Sequence, residues 1–503
     1  MPACRLLIRA LGSTIACCLL AFDVPSPALA ADTSEAQTQT AAADELAQAR
    51  TTLREQYAEQ LRKLAASYQA AGLSEPAKTV GTWFVADDPL GFTFHTLPTA
   101  VTPASAADEP WPGKFQSLRK QQAEALFGLA KRAAVARSAS LAMQLVAEAA
   151  YENPDHEAAR RVLGYQRYEQ SWLTSFEVSR ARENKVWSDR FGWQTSERLR
   201  RYEAGERYHR SRWISAAEDA AAHRDISQPW TILTDHYEVR TDRSLEEGVQ
   251  QAAKLERLYR IWRQLFIGFY ASEGQVARWV QGATPEPRDS KRHIIVYFRD
   301  RAEYNATLLP REPRIAVTTG YYHTGDKIGY FYAGADEGDE NLYHEATHQL
   351  FAETRRHPDL FAQKANFWVL EGVACYMESL AERDGAWHVG GADAIRLREA
   401  RMRLLRDNTY RPLAEFVELN LDRWKASTKL PEVYAQACGL VYFLMHASGG
   451  RYRETLVDYL ASVYAGDDRP ALLAELTGVG YSELDREYRE FMQRLAPPRR
   501  PAP

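Results

Sequence analysis

Cysteine is scarce in this sequence: the chain has five in 503 residues, and Cys4, Cys17 and Cys18 fall within the first twenty residues. Beyond them only Cys375 and Cys438 remain. Two cysteines cannot staple a chain of this size, so a hydrophobic core must carry its stability. Charge of one sign is also missing. The 63 Lys and Arg stand against 67 Asp and Glu, for a net charge of −4 and a pI near 6.4. That balance lacks the basic excess through which proteins hold nucleic acid, and no nucleic-acid partner is expected. Long apolar runs are absent too. After the first thirty residues nothing approaches the ~20 consecutive apolar residues of a membrane-spanning helix, and a soluble mature chain of two or three domains is expected.

What is present begins with a leader. Arg5 and Arg9 precede an apolar stretch from Ala10 to Phe22, followed by Pro25, Pro27 and the small-residue pattern Ala28-Leu29-Ala30. This is the three-part build of a secretory signal peptide over residues 1–30, cleaved after Ala30. The expected location is therefore outside the cytoplasm, periplasmic or extracellular. Thr14-Ile15-Ala16-Cys17 offers a weaker lipoprotein reading, because a lipobox usually has leucine where Thr14 stands.

Residues 31–44 are small and polar and read as a flexible leader. From 45 to 165 the apolar spacing is helical, starting with Leu46, Leu53, Tyr57, Leu61, Leu64 and Tyr68. Helices near 117–136, 138–152 and 155–164 follow, in a layout like a degraded tetratricopeptide stack. It serves either as a partner-binding surface or as a support for the next domain, with support favoured. Residues 166–228 form an aromatic-rich bridge with an internal echo. YEQSWLTSFE (168–177) and HRSRWISAAE (209–218) align at an offset of 41, each with a tryptophan, a helix-capping Ser or Thr and a glutamate three residues on. Duplicated packing corners explain the tryptophans better than a glycan- or peptide-binding face does. The last domain, 229–495, is expected to be α+β. Strands are expected at WTILTDHYEVRTD, 292–298, RIAVTTGYYH and KIGYFYAG, with a helix capped by Ser244 reaching Tyr270 and another over 300–309. Nearly continuous helix is expected from Asp339. Residues 496–503 read as a disordered Pro/Arg tail. The sequon Asn305-Ala306-Thr307 reads as chance.

The stretch HEATH carries the chemistry. His344 and His348 are four apart, so a helix projects both imidazoles from one face towards one ion. Glu345 lies slightly aside, within reach of a water but outside the ligand set. A third ligand is needed, and Glu353, Asp359, Glu371 and Glu378 all stand at workable distances. Glu371 stands out because NFWVLEGVACYMES is an amphipathic segment that can bury Phe367, Trp368, Leu370 and Ala374. Here the sequence resembles the gluzincins, the peptidase MA-like group with thermolysin-like enzymes and the aminopeptidase N family. Their pattern is HExxH followed by a helix with Trp-x-x-Glu-Gly-x-Ala, matched by Trp368 to Ala374, with 22 residues between His348 and Glu371. The chain also resembles a group of exported bacterial proteins, through Trp230 to Tyr237, HEATHQL at 344–350 and Tyr434 to Leu444.

The resemblance implies a thermolysin-like fold over 229–495, with a small mixed sheet and a helical subdomain. It implies Zn²⁺ held by His344, His348 and Glu371, Glu345 as general base, and a peptide or protein as substrate. Tyr434 matches the sequence placement of the oxyanion-stabilising tyrosine of aminopeptidase N relatives, and a packing role is equally open. Tyr322 and His323 are weaker candidates; His357 reads as a surface residue. His446, at a helix end, suits the dipole as a cation. Two absences narrow the activity. The Gly-x-Met-Glu-Asn strand that grips a free amino terminus is missing, which favours an endopeptidase or narrow-specificity peptidase. No third histidine of the metzincin motif follows His348. Cys375 and Cys438, each one turn beyond Glu371 and Tyr434, either pair as a disulfide or remain buried thiols, the latter slightly favoured. The competing reading is a catalytically quiet peptidase-like domain on a helical protein-binding scaffold.

Overall fold

The computed structural model describes residues 27–101, 110–286, 291–334, 338–355 and 361–495. Most of the leader (residues 1–26), His357, Asp359 and the tail 496–503 lie outside these residues.

The amino-terminal part is helical: α1 (Pro27–Ala70), α2 (Ser74–Trp83), then strand β1 (Gly91–His95), α3 (Pro110–Val135), α4 (Ala139–Glu152) and α5 (Glu157–Val162). Residues 31–44, expected as a flexible leader, continue α1; they are rich in alanine, the strongest helix former. Helices α1 with α2 and α3 with α4 pack as pairs. Leu126, Ala130, Leu145, Val146 and Ala149 are buried in a core that also takes Ile267, Val276 and Val280 from later in the chain.

The bridge is more regular than its 41-residue echo suggests. It consists of three successive hairpin-plus-helix units: β2 (Gln166–Tyr168), β3 (Ser171–Leu173) and α6 (Ser175–Arg182); β4 (Lys185–Ser188), β5 (Gly192–Thr195) and α7 (Ser196–Glu203); β6 (Glu206–His209), β7 (Arg212–Ser215) and α8 (Ala216–Ala222). Thr174, Thr195 and Ser215 cap the three helices, each accepting a hydrogen bond from the backbone N–H three residues on. The echo at 41 joins the first unit to the third and skips the middle one, where Trp193 and Thr195 stand in the matching places. Trp172 is buried and its Nε1–H donates to Asp155 Oδ1, while Trp187, Trp193 and Trp213 are half-buried.

A five-stranded sheet follows, in the order β11-β12-β10-β9-β8, from β8 (Trp230–Leu233), β9 (Tyr237–Thr241), β10 (His293–Phe298), β11 (Gly320–His323) and β12 (Ile328–Tyr332). WTILTDHYEVRTD is a hairpin rather than one strand, and β9, β10 and β12 run parallel. RIAVTTGYYH was expected to be strand throughout; a 3₁₀ turn occupies Ile315–Val317, and pairing starts only at Gly320. Ser244 caps α9 (Leu245–Leu265) by accepting from Glu247 N. Short α10 (Ile267–Tyr270), α11 (Glu273–Gln281) and α12 (Arg301–Leu308, capped by Asp300) complete this layer.

From α13 (Glu340–Thr354) and α14 (Phe367–Met377) the chain is helical, with one exception. Strands β13 (Ala381–Arg383) and β14 (Ala386–Gly390) form a hairpin around Asp384-Gly385, both at positive φ, the Asp-Gly signature of a tight two-residue turn. The outer edge of β14 pairs with β1 along all five residues of that strand, from Gly91↔Gly390 to His95↔Ala386. Helices α15 (Ile395–Leu405), α16 (Leu413–Phe416), α17 (Leu421–Lys425), α18 (Leu430–His446), α19 (Arg453–Tyr464), α20 (Leu472–Thr477) and α21 (Tyr481–Arg494) close the fold. One core joins Leu90 and Phe92 to the sheet and to α13, α14 and α18. The architecture is α+β, as expected. Among the described residues no helix is long and apolar enough to cross a membrane.

Candidate metal centre

Helix α13 buries Leu342, Tyr343, Ala346, Thr347, Gln349, Leu350 and Phe351 against the sheet and its neighbours, leaving His344 and His348 on a partly open face. Gln349 fixes the helix to the sheet: its Nε2 donates to Ile294 O on β10 and to Glu353 Oε1. Glu353 also meets His293 Nδ1 at 2.9 Å, so this candidate ligand is engaged elsewhere.

Helix α14 supplies the third group. It starts after Asn366, which adopts the left-handed conformation at φ 65°. Asn366 is held there by donating its N–H to Val417 O and accepting at Oδ1 from the Tyr459 hydroxyl. After half-buried Phe367, the ten residues from Trp368 to Met377 are all buried. Trp368 donates to Tyr459 and anchors the turn that presents Glu371.

Three ligand atoms converge. His344 Nε2 and His348 Nε2 are 3.2 Å apart, and Glu371 Oε2 is 3.4 Å from the first and 3.7 Å from the second. A tetrahedral ion with bonds of ~2.0–2.1 Å holds its ligand atoms ~3.3 Å apart, so this triangle has the size of one face of such a site. The remaining nitrogen of His344 explains its orientation: Nδ1 lies 2.8 Å from Glu378 Oε1. A carboxylate there accepts the Nδ1–H and turns the Nε2 lone pair towards the other ligands. Arg396 Nε donates to Glu378 Oε2 at 2.8 Å and holds that carboxylate in turn. Burial works to raise the Glu371 pKa, but the charges and hydrogen bonds of His348 and His344 prevail and keep it ionised.

Sequence reasoning offered Glu378 as an alternative ligand; it stands behind His344 instead. It was a candidate by distance alone; its spacing of seven from Glu371, two turns on the same face, is the signal that could have placed it beside that ligand. Arg396 was missed, since nothing in its own surroundings marks it. Cys375 is buried beside His344, and burial raises its thiol to about 11, against the opposing pull of that imidazole. Cys375 and Cys438 are both free thiols, with no bridge between them.

Glu345 does not join the triangle. Its Oε2 accepts from Tyr322 N at 3.0 Å, so the edge strand β11 aims the carboxylate. Gly320 allows this approach: a Cβ there would stand 3.2 Å from Glu345 Cγ and 3.0 Å from the Phe331 ring. Tyr434, at the start of α18, packs edge-on against Trp424. Burial and then the nearby charge of Glu371 push its pKa up, so it stays a hydroxyl donor. His323 points elsewhere, accepting from Asp326 N. The cationic role expected for His446 is corrected. It does end α18, but it is buried beside Phe92 and Tyr376, with the Tyr376 hydroxyl 2.9 Å from its Nε2. Burial, then the charge of Arg453, hold it neutral.

The fold and site thus define an α+β chain with two helices that present a His-His-Glu group able to hold a metal ion. Residues 340–465, which span both helices and all of α15 to α19, match a family described as a protein of unknown function (DUF1570). No curated protein matches the chain.

Proposed function

We propose that this protein is an exported zinc-dependent peptidase of gluzincin type, with His344, His348 and Glu371 as ligands. The observation that carries this reading is the triangle of ligand atoms with sides of 3.2, 3.4 and 3.7 Å, backed by a carboxylate on the far nitrogen of His344. The donor set, two imidazoles and one carboxylate, suits zinc and leaves a coordination position open. When bound, zinc supplies the Lewis acidity that polarises a carbonyl and acidifies water.

The chain's own groups divide the remaining work. Glu345, held through Oε2 by the Tyr322 N–H, takes the proton of the attacking water and returns it to the leaving amine. Tyr434, kept protonated by its surroundings, donates its O–H to the carbonyl oxygen as that oxygen gains charge. Strand β11 lies at the edge of the sheet, where an extended peptide can add as a further strand. The absence of a Gly-x-Met-Glu-Asn strand supports internal or narrow-specificity cleavage.

The test is a pair of measurements on the wild type and Glu345→Gln: zinc content, and cleavage of a peptide library. Glu345→Gln is expected to keep its zinc and lose cleavage by ~10²–10⁴-fold. Zinc in both proteins with cleavage by neither sinks the peptidase reading in favour of a quiet scaffold. Cleavage unchanged by the substitution refutes the role of Glu345.

A further inference from the structure

We infer that His209, Asp219 and His223 form a second metal site, a three-ligand zinc site with its fourth position left to water, which fastens the third hairpin-plus-helix unit to the first strand of the sheet. His209 ends β6, Asp219 lies within α8, and His223 is the residue that ends that helix. His209 Nδ1 and His223 Nε2 approach the same oxygen, Asp219 Oδ1, at 3.7 and 3.5 Å. All three ligand atoms lie within 4.8 Å of one another. These gaps are longer than ordinary hydrogen bonds and close to the ~3.3 Å edge of a tetrahedral zinc site. The two rings stand nearly perpendicular, at 80° with centroids 5.2 Å apart, so they reach the carboxylate from two directions.

The outer contacts complete the pattern. His223 Nδ1 is 2.6 Å from Gln228 O. A carbonyl only accepts, so Nδ1 carries the hydrogen, which leaves Nε2, on the side of the carboxylate, as the atom available to a metal. The second carboxylate oxygen, Asp219 Oδ2, accepts from Trp230 Nε1 at 2.8 Å. Ligands tied through their far atoms to a backbone carbonyl and an indole N–H are what a metal site builds around itself. Asp219 is only 5% exposed, and a buried carboxylate needs a cation nearby.

The repeat supplies an internal comparison. Four residues after the helix cap, the first two units carry apolar Val178 and Leu199, and the third carries Asp219. Eight residues after the cap stand Arg182, Glu203 and His223. The architecture therefore does not require a buried aspartate at this position, and the metal-binding residues belong to the third unit alone. An ion there would join β6, α8, the Gln228 loop and Trp230 of β8, the joint between bridge and sheet.

Zinc content, measured by elemental mass spectrometry on full-length protein dialysed against zinc and then buffer, tests the assignment. The decisive variant is His344→Asn/His348→Asn, which leaves the second site intact. It is expected to keep about one zinc per chain, and cobalt in its place is expected to give the visible absorption of a tetrahedral N/O site. Adding His209→Asn/His223→Asn should remove both the metal and the absorption. A folded His344→Asn/His348→Asn protein that holds no zinc overturns the proposal, and so does metal retention unchanged by loss of His209 and His223. If the second pair of substitutions prevents folding, the first variant alone still decides.

Discussion

Replacing Gly372 with alanine tests the geometry of the metal centre without touching a ligand. An alanine Cβ would stand 2.7 Å from Ala437 O, 3.0 Å from the carbon of that carbonyl and 2.9 Å from Val441 Cγ2. The first two belong to the backbone of α18 and cannot rotate away, so α14 and α18 must separate by several tenths of an ångström. Overpacking of this kind costs ~1–3 kcal/mol, while alanine returns up to ~1 kcal/mol over glycine inside a helix. The expected balance is a loss of about 1–2 kcal/mol, or a fall of roughly 2–4 °C in Tm. Glu371 is the adjacent residue, and its displacement should weaken metal binding by roughly tenfold. Gly128→Ala in α3 is the control, because a Cβ there meets nothing within 4 Å; it should be neutral or up to ~1 kcal/mol stabilising. Thermal unfolding of the metal-free proteins by circular dichroism and zinc titration against a competing chelator read both effects. If Gly372→Ala matches Gly128→Ala in stability and binds zinc like the wild type, the close helix contact plays no part in seating Glu371.

Glu378→Ala should lower zinc affinity about 10–100-fold by freeing the His344 ring, measured with the same chelator competition; unchanged affinity would remove Glu378 from the site. Tyr434→Phe should lower kcat of peptide cleavage by ~10²-fold with little change in KM, and a change in KM alone would make it a binding residue. Glu256 meets the His236 side chain and N–H; burial opposes ionisation, but these partners hold its pKa at about 2, below the ordinary value of 4.5 for a glutamate. A depressed folded pKa gives stability that is present above about 4.5 and drains as pH falls towards 2, on the order of 3 kcal/mol in all. Glu256→Gln should therefore flatten the acid limb of denaturant unfolding measured from pH 6 to pH 3, and an acid limb as steep as that of the wild type would refute the assignment.

The elements that were legible in the sequence are those set by local chemistry. Ser244 with Glu247 marked the start of α9, RHIIVYF marked a buried strand, and the i, i+4 spacing of His344 and His348 marked one helix face. Glu371 was readable because its helix has a buried face and a Trp-x-x-Glu-Gly-x-Ala pattern. Other features depend on partners distant in the chain. Nothing local to GFTFH says that it pairs with Ala386–Gly390, although Asp384-Gly385 signals the β13–β14 turn. His446 ends its helix as expected, yet its neutrality comes from burial against Phe92 and Tyr376. The threefold repeat in the bridge was read at twice its period, because Trp172 and Trp213 sit in similar surroundings while the middle hairpin is one residue longer.

The pairing of β1 with β14 also bears on how the chain is assembled. Gly91 finds its partner in Gly390, roughly 300 residues later, and contacts across such a separation are slow to form. During synthesis β1 is complete long before the hairpin that satisfies its backbone exists, and the shared core around Phe92 cannot close until then. An early-finished amino-terminal half is thus an unfinished product with an open strand edge, a feature that favours recruitment by chaperones. A fragment starting at 229 has the mirror-image defect, with β14 bare along the edge that β1 would cover. Strand β14 also packs against α14, the helix that carries Glu371, so its pairing with β1 ties the amino-terminal half to the metal centre.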